Sequence, residues 1–174
     1  MVRRKDAAGA GKVEMVQTSD KVPLLPGRWE VALPWASTYC AVGFDPQSGG
    51  RADGWNEFLL ASGAQTVKFV LSLSPASIKG TVKDANGGPV AGVPVFVEAY
   101  DLDPRKRVEP IRFTNTDAGG RYEMGGLAAG VYRLLASFDY QMPEPAQMEA
   151  AQAKTVKVED GGRAVLDLDE FAIR

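Results

Sequence analysis

The stretch "DAGGRYEMGGLAAGVYRLLA", Asp117 to Ala136, decides the fold class of this 174-residue chain. Its five glycines lie among regularly spaced apolar residues, so they either cradle a ligand or form turns. A phosphate-binding loop needs a lysine and then a serine or threonine after its second glycine, but Gly126 follows Gly125 here. A dinucleotide-binding loop opens a helix, whereas the pattern that follows is that of a strand. The glycines therefore indicate the turns of a β-sandwich.

The same stretch predicts how neighbouring strands are joined. Asp117 and Gly120 are expected to shape a tight turn, and Gly130 permits the bend into the next strand. The hydroxyl of Tyr132 is expected to donate to a nearby backbone group, as the corner tyrosine of immunoglobulin-like sandwiches does. Strand alternation predicts an apolar face with Tyr132, Leu134, Ala136 and Phe138, and a polar face with Arg133, Ser137 and Asp139.

The second half of the chain has an all-β pattern of short apolar runs separated by turn residues. Asn86-Gly87 accepts positive φ and is expected to close a hairpin-like connection. Residues 139–153 form the one long connection, and its second part is predicted to form a short helical turn. This pattern is typical of an antiparallel Greek-key β-sandwich of the immunoglobulin-like or transthyretin-like class. The predicted strands are 77–83, 93–100, 108–115, 121–124, 131–138, 155–159 and 163–168.

An internal repeat suggests two related modules in tandem. "LLPGRWEV" (Leu24 to Val31) matches "LAAGVYRL" (Leu127 to Leu134) as Leu-x-x-Gly-x-aromatic-x-aliphatic. The predicted organisation has a flexible lead-in over 1–20, in which 12–18 form a candidate strand. It continues with a partial, incomplete sandwich module over 21–75 and a complete domain over 76–174. An unpaired strand edge of the partial module would be covered by residues 12–18 or by another chain. A dimer is therefore one of the alternatives.

Composition excludes several function classes. A net charge of -2 provides no positive electrostatic field that would attract nucleic acid. The sequence also contains no apolar run long enough to span a membrane, so membrane insertion is not expected. The chain has no histidine, which removes the commonest general base and the usual zinc ligand. Its single cysteine, Cys40, is expected to be a small buried hydrophobic residue. Residues 1–11 lack the apolar run of a secretory signal.

Three segments carry a resemblance to a known family: "SIKGTVKDANGGPVAGVPVFVEAYD", "TNTDAGGRYEMGGLAAGVYRLLA" and "VKVEDGGRAVLDL". Over residues 76 to about 170 the chain resembles the carboxypeptidase regulatory-like domain, of transthyretin-like (prealbumin-like) fold. Residues 22–74 resemble the closing half of a similar domain. The resemblance implies a non-catalytic accessory module of a larger exported bacterial protein, located extracellularly, in the periplasm or on the cell surface. It implies a structural spacer or protein-interaction role, with no catalytic residues, cofactor or metal.

Carbohydrate binding is the alternative function, because aromatic rings stack on the apolar faces of sugars. The candidate polysaccharide-binding residues are Trp35, Tyr39 and Trp55, near predicted turns of the first module. Trp29 occupies the position of Tyr132 in the repeat and is expected to lie in the core.

The positions of the candidate residues argue against an internal isopeptide bond and against a calcium site. An internal isopeptide bond would use Lys79 or Lys83 with Glu98 and either Asp167 or Asp169. If Ile78 and Val82 face inward, however, the two lysines face water. Asp101, Asp103 and Asp117 lack a calcium-loop spacing and are interpreted as loop formers, and "PRKR" (104–107) as a solvated hairpin tip.

Overall fold

The computed structural model describes residues 1–6, 9–17, 21–45, 51–52, 55–100 and 111–173. The described residues form two compact units. The N-terminal unit contains residues 1–35 and 41–71, and the C-terminal unit contains residues 36–40, 72–100 and 111–173. In chain order the elements are β1 (Val2–Asp6), β2 (Gly9–Ala10), β3 (Gly27–Val31), β4 (Cys40–Asp45), β5 (Arg51–Ala52), β6 (Trp55–Leu60), β7 (Lys68–Ser72), β8 (Ala76–Lys83), β9 (Pro94–Ala99), β10 (Arg112–Asn115), β11 (Arg121–Leu127), β12 (Gly130–Ala136), α1 (Pro145–Ala150), β13 (Lys154–Val158), β14 (Arg163–Val165) and β15 (Leu168–Asp169).

The C-terminal unit is a β-sandwich, as the sequence predicts. One sheet has the order β10-β9-β12-β13 and is antiparallel, and the other has the order β11-β8-β14, with β15 also on β8. Alternate residues of these strands point between the sheets and form a common core; Ile78, Val95, Leu127 and Leu134 are at most 1% exposed. Burying a side chain of this kind stabilises the fold by about 1.5–3 kcal/mol. The closing strands β14 and β15 run parallel to β8.

The N-terminal unit contains an antiparallel sheet with the order β2-β1-β3-β6-β5 and a ribbon of β4 with β7. Its core is built on Val31, Phe44 and Phe58. The prediction of a flexible lead-in is wrong for Val2–Asp6, which forms β1 and pairs with β3. The predicted strand 12–18 is also wrong over its described residues, which contribute only an isolated bridge between Val2 and Glu14. Val2 is 4% exposed, so its burial in the unit explains why β1 is held on the sheet.

Turn residues take their predicted conformations. Gly120 has φ +71°, and a Cβ there would lie 2.8 Å from the carbonyl oxygen of Val82, so glycine is required. Oδ1 of Asp117 accepts hydrogen bonds from the amides of Gly119 and Arg121, at 2.8 and 2.9 Å. The chain folds back at Gly87 (φ +80°) through an antiparallel bridge between Lys83 and Pro89, as the hairpin-like prediction requires. The strands on either side, β8 and β9, nevertheless belong to different sheets, so the turn connects the two sheets.

Several predicted strand limits are corrected. The strand predicted over 108–115 covers Arg112–Asn115, and residues 108–110 lie outside the described part of the chain. The strand predicted over 163–168 is divided into β14 and β15. β12 ends at Ala136, so Phe138 leaves the predicted apolar face and is 56% exposed.

The predicted polar face that begins on β12 is partly buried, which is a further correction, although Asp139 is exposed as predicted. Arg133 and Ser137 are 5% and 0% exposed. The predicted helical turn is α1, whose Met148 packs with Leu135 and Phe96 on this outer face of the sheet. The sheet is therefore covered on both sides.

Candidate functional site

The three aromatic residues predicted to bind sugar have different environments. The ring of Trp35 is 57% exposed. Trp55 is half-buried, and the guanidinium carbon of Arg3 lies 4.1 Å from its ring centroid, a cation–π contact that occupies one ring face. Tyr39 is half-buried and lies in the C-terminal unit, whereas both tryptophans lie in the N-terminal unit.

Trp29 lies against the core of its unit, as the repeat predicts. Its Nε1 donates to the carbonyl oxygen of Leu25 at 2.9 Å, four residues earlier. The hydroxyl of Tyr132 donates to the carbonyl oxygen of Ala128 at 2.8 Å, also four residues earlier, which confirms the predicted corner bond. The two copies of the sequence repeat therefore form the same local hydrogen bond at the start of a strand.

Two buried carboxylates of the N-terminal unit and the partly exposed basic residues that pair with them form a row across β1, β3 and β6. The strand register places Arg3 opposite Glu30, and Glu30 opposite Glu57. Glu30 and Glu57 are 3% and 9% exposed, and neighbouring acids at that depth require cations. Arg3 Nε contacts Glu30 at 2.7 Å, and Lys5 Nζ contacts Glu57 at 2.9 Å and Glu30 at 3.5 Å. The hydrogen bond from Lys5 to Glu57 is the main reason that the pKa of Lys5 is raised.

The sequence carried a signal for this row that was missed. "VRRKD" places three consecutive basic residues after Val2, "WEV" places Glu30 between two apolar residues, and in "NEF" Glu57 precedes an apolar residue. A glutamate within a largely apolar strand becomes buried when that strand pairs in a sheet. A buried carboxylate then requires a basic partner from another strand.

The C-terminal unit has its own buried ion pair. Glu98 of β9 and Arg133 of β12 are cross-strand partners, and the Arg133 Nε donates to the Glu98 carboxylate. A second guanidinium nitrogen of Arg133 donates to the carbonyl oxygen of Pro145 in α1 at 2.7 Å. The guanidinium carbon also lies 4.8 Å from the ring centroid of Tyr100. Arg133 therefore joins the sheet to the helix that covers it.

Among the residues considered for an isopeptide bond, Lys83 and Asp169 are cross-strand partners, but the acid that would assist the reaction, Glu98, lies in the other sheet. Lys79 and Lys83 are exposed on β8, as alternation predicts, whereas Glu98 is buried in the other sheet with Arg133. Asp169 is exposed and pairs with Lys154 at 2.9 Å.

A further polar cluster joins β8 to the closing strands. Oδ1 of Asp167 accepts from the Thr81 amide at 2.9 Å and from the Thr81 hydroxyl at 2.8 Å. These bonds lower the pKa of Asp167 below its usual value. The Tyr122 hydroxyl donates to the carbonyl oxygen of Leu166 at 2.6 Å. Burial, with a smaller effect of the Asp167 charge, raises the pKa of Tyr122.

In the described part of the chain, no group of three or more His, Cys, Asp or Glu residues is placed so that it could hold a metal ion. Asp117 forms a turn, while Asp101, Asp103 and residues 104–107 lie outside the described residues. Cys40 is 1% exposed, as predicted for a buried hydrophobic residue. Among the helices that the structure describes, none has the length and apolar character needed to cross a bilayer.

The carboxypeptidase regulatory-like domain family matches residues 77–169, which include both sheets of the sandwich. The two sheets and the family match define the protein class as a β-sandwich module. The chain belongs to the carboxypeptidase regulatory-like domain family, as its resemblance implied. Membership in this family of regulatory-like domains fits a non-catalytic structural or interaction module. No curated protein matches the chain significantly.

Similarity to solved structures is low. The Bacillus anthracis TIE protein is 21% identical over 67% of this chain and 21% of its own, with a TM-score of 0.39. A Streptococcal ancillary pilin is 12% identical over 84% of this chain and 46% of its own, with a TM-score of 0.39. BcpA, the major pilin subunit of Bacillus cereus, is 15% identical over 60% of this chain and 31% of its own, with a TM-score of 0.38. The match spans less than half of each of those proteins, and similarity this low transfers no function.

Proposed function

We propose that the chain is a non-catalytic accessory module of a larger exported protein, in which it acts as a structural spacer and contacts neighbouring domains. Its setting would be extracellular, periplasmic or on the cell surface. Residues 76–174 supply a complete regulatory-like domain, and residues 21–75 the closing half of a related one. The shared corner hydrogen bond of Trp29 and Tyr132 supports this tandem organisation.

One observation carries the proposal. Among the described residues, each buried carboxylate, that of Glu30, Glu57 or Glu98, is paired with a basic side chain of another strand. A general acid or base needs a proton-exchanging group that reaches a substrate. Here the acids are used to hold strands together, which is a structural role.

Substitution of these acids tests the proposal. Glu57→Gln keeps the shape but removes the charge that Lys5 and Arg28 contact, so we expect it to lower the free energy of unfolding by about 1–3 kcal/mol. Tryptophan emission during guanidinium unfolding measures this, because Trp29, Trp35 and Trp55 all lie in the N-terminal unit. Glu14→Gln, at an exposed position, is the control.

The opposite outcome would contradict a structural role. Residues that serve a ligand are commonly unfavourable for stability, so their replacement stabilises a protein. If Glu30→Gln and Glu57→Gln left stability unchanged or raised it, these acids would belong to a binding or catalytic site.

Contacts with other domains or a second copy would use exposed apolar side chains of the N-terminal unit. Trp35, Val42 and Val70 are 57%, 49% and 56% exposed. Exposed apolar groups of this kind favour protein contacts when they lie together. Analytical ultracentrifugation of the parent and of Val70→Ser tests the dimer: a concentration-dependent dimer weakened by Val70→Ser supports it, and a monomer throughout excludes it.

Carbohydrate binding is the second candidate function, favoured by the exposure of the Trp35 ring. Within the same unit Trp55 would add a second ring, of which Arg3 leaves one face for stacking. Titration with polysaccharides while tryptophan emission is recorded tests it. A change in emission that Trp35→Ala abolishes would support sugar binding, and an unchanged parent spectrum would dismiss it.

A further inference from the structure

The strands at the two ends of the C-terminal unit lie side by side and run in the same direction. β8 is the first of its described strands after residue 72, and β14 and β15 are the last. Ser77 is opposite Arg163 at one end, and Lys83 is opposite Asp169 at the other, without a shift in register. The chain therefore enters this pair at one end and leaves it at the opposite end.

That arrangement determines how the pair responds to tension. A force between residue 73 and residue 173 pulls β8 and β15 past each other along their length. In a parallel pair the hydrogen bonds are evenly spaced along the strands, so sliding loads them together. A force applied at one end of both strands would instead open the same bonds one after another.

The pair is reinforced where its regular ladder is interrupted, at residues 166 and 167. A Cβ on Gly80 would lie 1.9 Å from the carbonyl oxygen of Leu166, so glycine permits the two backbones to approach. The Leu166 amide donates to the Lys79 carbonyl oxygen at 2.9 Å, and its own carbonyl accepts from Tyr122.

Asp167 reinforces the pair at the next residue through its side chain. Its carboxylate accepts both hydrogen bonds that Thr81 offers, from the amide and from the hydroxyl. Side-chain bonds with Thr81 of β8 and Tyr122 of β11 thus take the place of the missing ladder bonds at the centre of the pair.

The exit segment after β15 is bound to both sheets. The Glu170 amide donates to the Lys83 carbonyl oxygen at 2.8 Å, in the sheet of β8. The Phe171 amide donates to the Ala136 carbonyl oxygen at 2.8 Å, in the sheet of β12. The ring of Phe171 packs in the cluster beneath α1. Tension at the C-terminal end is therefore distributed over both layers before it reaches β15.

We propose that the C-terminal unit is built to resist tension along the chain, through shear of β8 against β14 and β15. The inference deepens the proposed spacer function and rests on it. A spacer between an anchored part and a bound part of an exported protein carries force between its two ends, and this strand pair lies directly in that path.

Single-molecule force spectroscopy with two attachment geometries tests the proposal. In a Cys40→Ala background, handles on Leu73→Cys and Ile173→Cys shear the pair. Handles on Ala85→Cys and Ile173→Cys peel it, because Ala85 follows the end of β8 that lies beside the end of β15. Leu73 and Ile173 are 81% and 60% exposed, and Ala85 is also exposed, so handles disturb no packing. We expect a rupture force at least about twofold higher in shear at equal pulling speed, because sliding loads the evenly spaced bonds of a parallel pair together.

Single substitutions then show which hydrogen bonds contribute to the shear rupture force. Tyr122→Phe and Asp167→Ala should each lower the shear rupture force, whereas the peeling force changes little. Tyr132→Phe is the control, since it loses a hydroxyl bond that lies outside the strand pair. Chemical unfolding of each variant corrects for general loss of stability.

Equal rupture forces in the two geometries would overturn the proposal, as would a shear force that Tyr122→Phe and Tyr132→Phe reduce alike. Neither result bears on whether the buried acids are structural. The effect of Glu57→Gln on stability tests the proposed function separately, so failure of one idea is distinguishable from failure of the other.

Discussion

Removal of either partner from the Glu98–Arg133 pair should strongly destabilise the C-terminal unit. The side chains of Glu98 and Arg133 are 4% and 6% exposed, so neither can be hydrated when its partner is lost. Arg133→Met leaves a buried carboxylate and also removes the hydrogen bond to Pro145 and the contact with Tyr100. We expect it to lower the free energy of unfolding by about 3–5 kcal/mol, as for other broken buried pairs. Glu98→Leu leaves the Arg133 guanidinium buried without its carboxylate and should cost about 3 kcal/mol.

The double variant distinguishes a pair effect from general damage. Glu98→Leu with Arg133→Met replaces both charges by apolar groups, which is often neutral or stabilising for a buried pair. We therefore expect the double variant to lie within about 2 kcal/mol of the parent, and so to be more stable than either single variant.

Native-state hydrogen exchange of the β12 amides measures these differences in the C-terminal unit. Tryptophan emission gives a separate readout of the N-terminal unit, where all three tryptophans lie. A loss of 3 kcal/mol corresponds to a melting temperature lower by about 12–24 °C for a domain of this size. Single variants that cost less than about 1 kcal/mol, or a double variant whose cost is the sum of the two, would refute the reasoning.

Three further predictions concern individual contacts. Gly80→Ala places a Cβ against a backbone carbonyl of the neighbouring strand and should cost about 3 kcal/mol or more, measured by chemical unfolding; a cost below about 1 kcal/mol would contradict the close approach. Hydrogen bonds from Thr81 lower the folded pKa of Asp167, so its contribution to stability is complete above the ordinary value of 3.8 and is lost as the pH falls through the lower folded pKa. The difference in stability between the parent and Asp167→Asn should therefore be constant near neutral pH and shrink below pH 3.8, and a pH-independent difference would argue against it. Tyr132→Phe and Trp29→Phe should each cost about 1 kcal/mol through loss of the corner bond, and unfolding curves that match the parent would exclude that role.

The sandwich of the C-terminal unit was predictable because its signals are local. The alternation of apolar and polar residues predicted that Ile78, Val82 and Leu134 lie in the core. Asp117 and Gly120 predicted the tight turn that they form. The hydroxyl bond of Tyr132 followed from its position after Gly130.

The paired charges were harder to predict because they depend on contacts between distant strands. Arg133 has the spacing of a solvent-facing residue, and only α1, some twelve residues later, makes it buried. The strand Val2–Asp6 was missed for the same reason, since its basic residues resemble a flexible tail until they meet Glu30 and Glu57. The parallel pairing of β8 with β14 is likewise a property of topology that alternation does not contain.

The closing of the sandwich by a parallel strand pair underlies both the fold and its proposed mechanical role. Nuclear Overhauser contacts across β8 measure it most directly. A parallel pair gives contacts that link Ser77 to Arg163 at one end and Val82 to Leu168 at the other, and this is the expected result. Contacts in antiparallel order, or none between these segments, would contradict it.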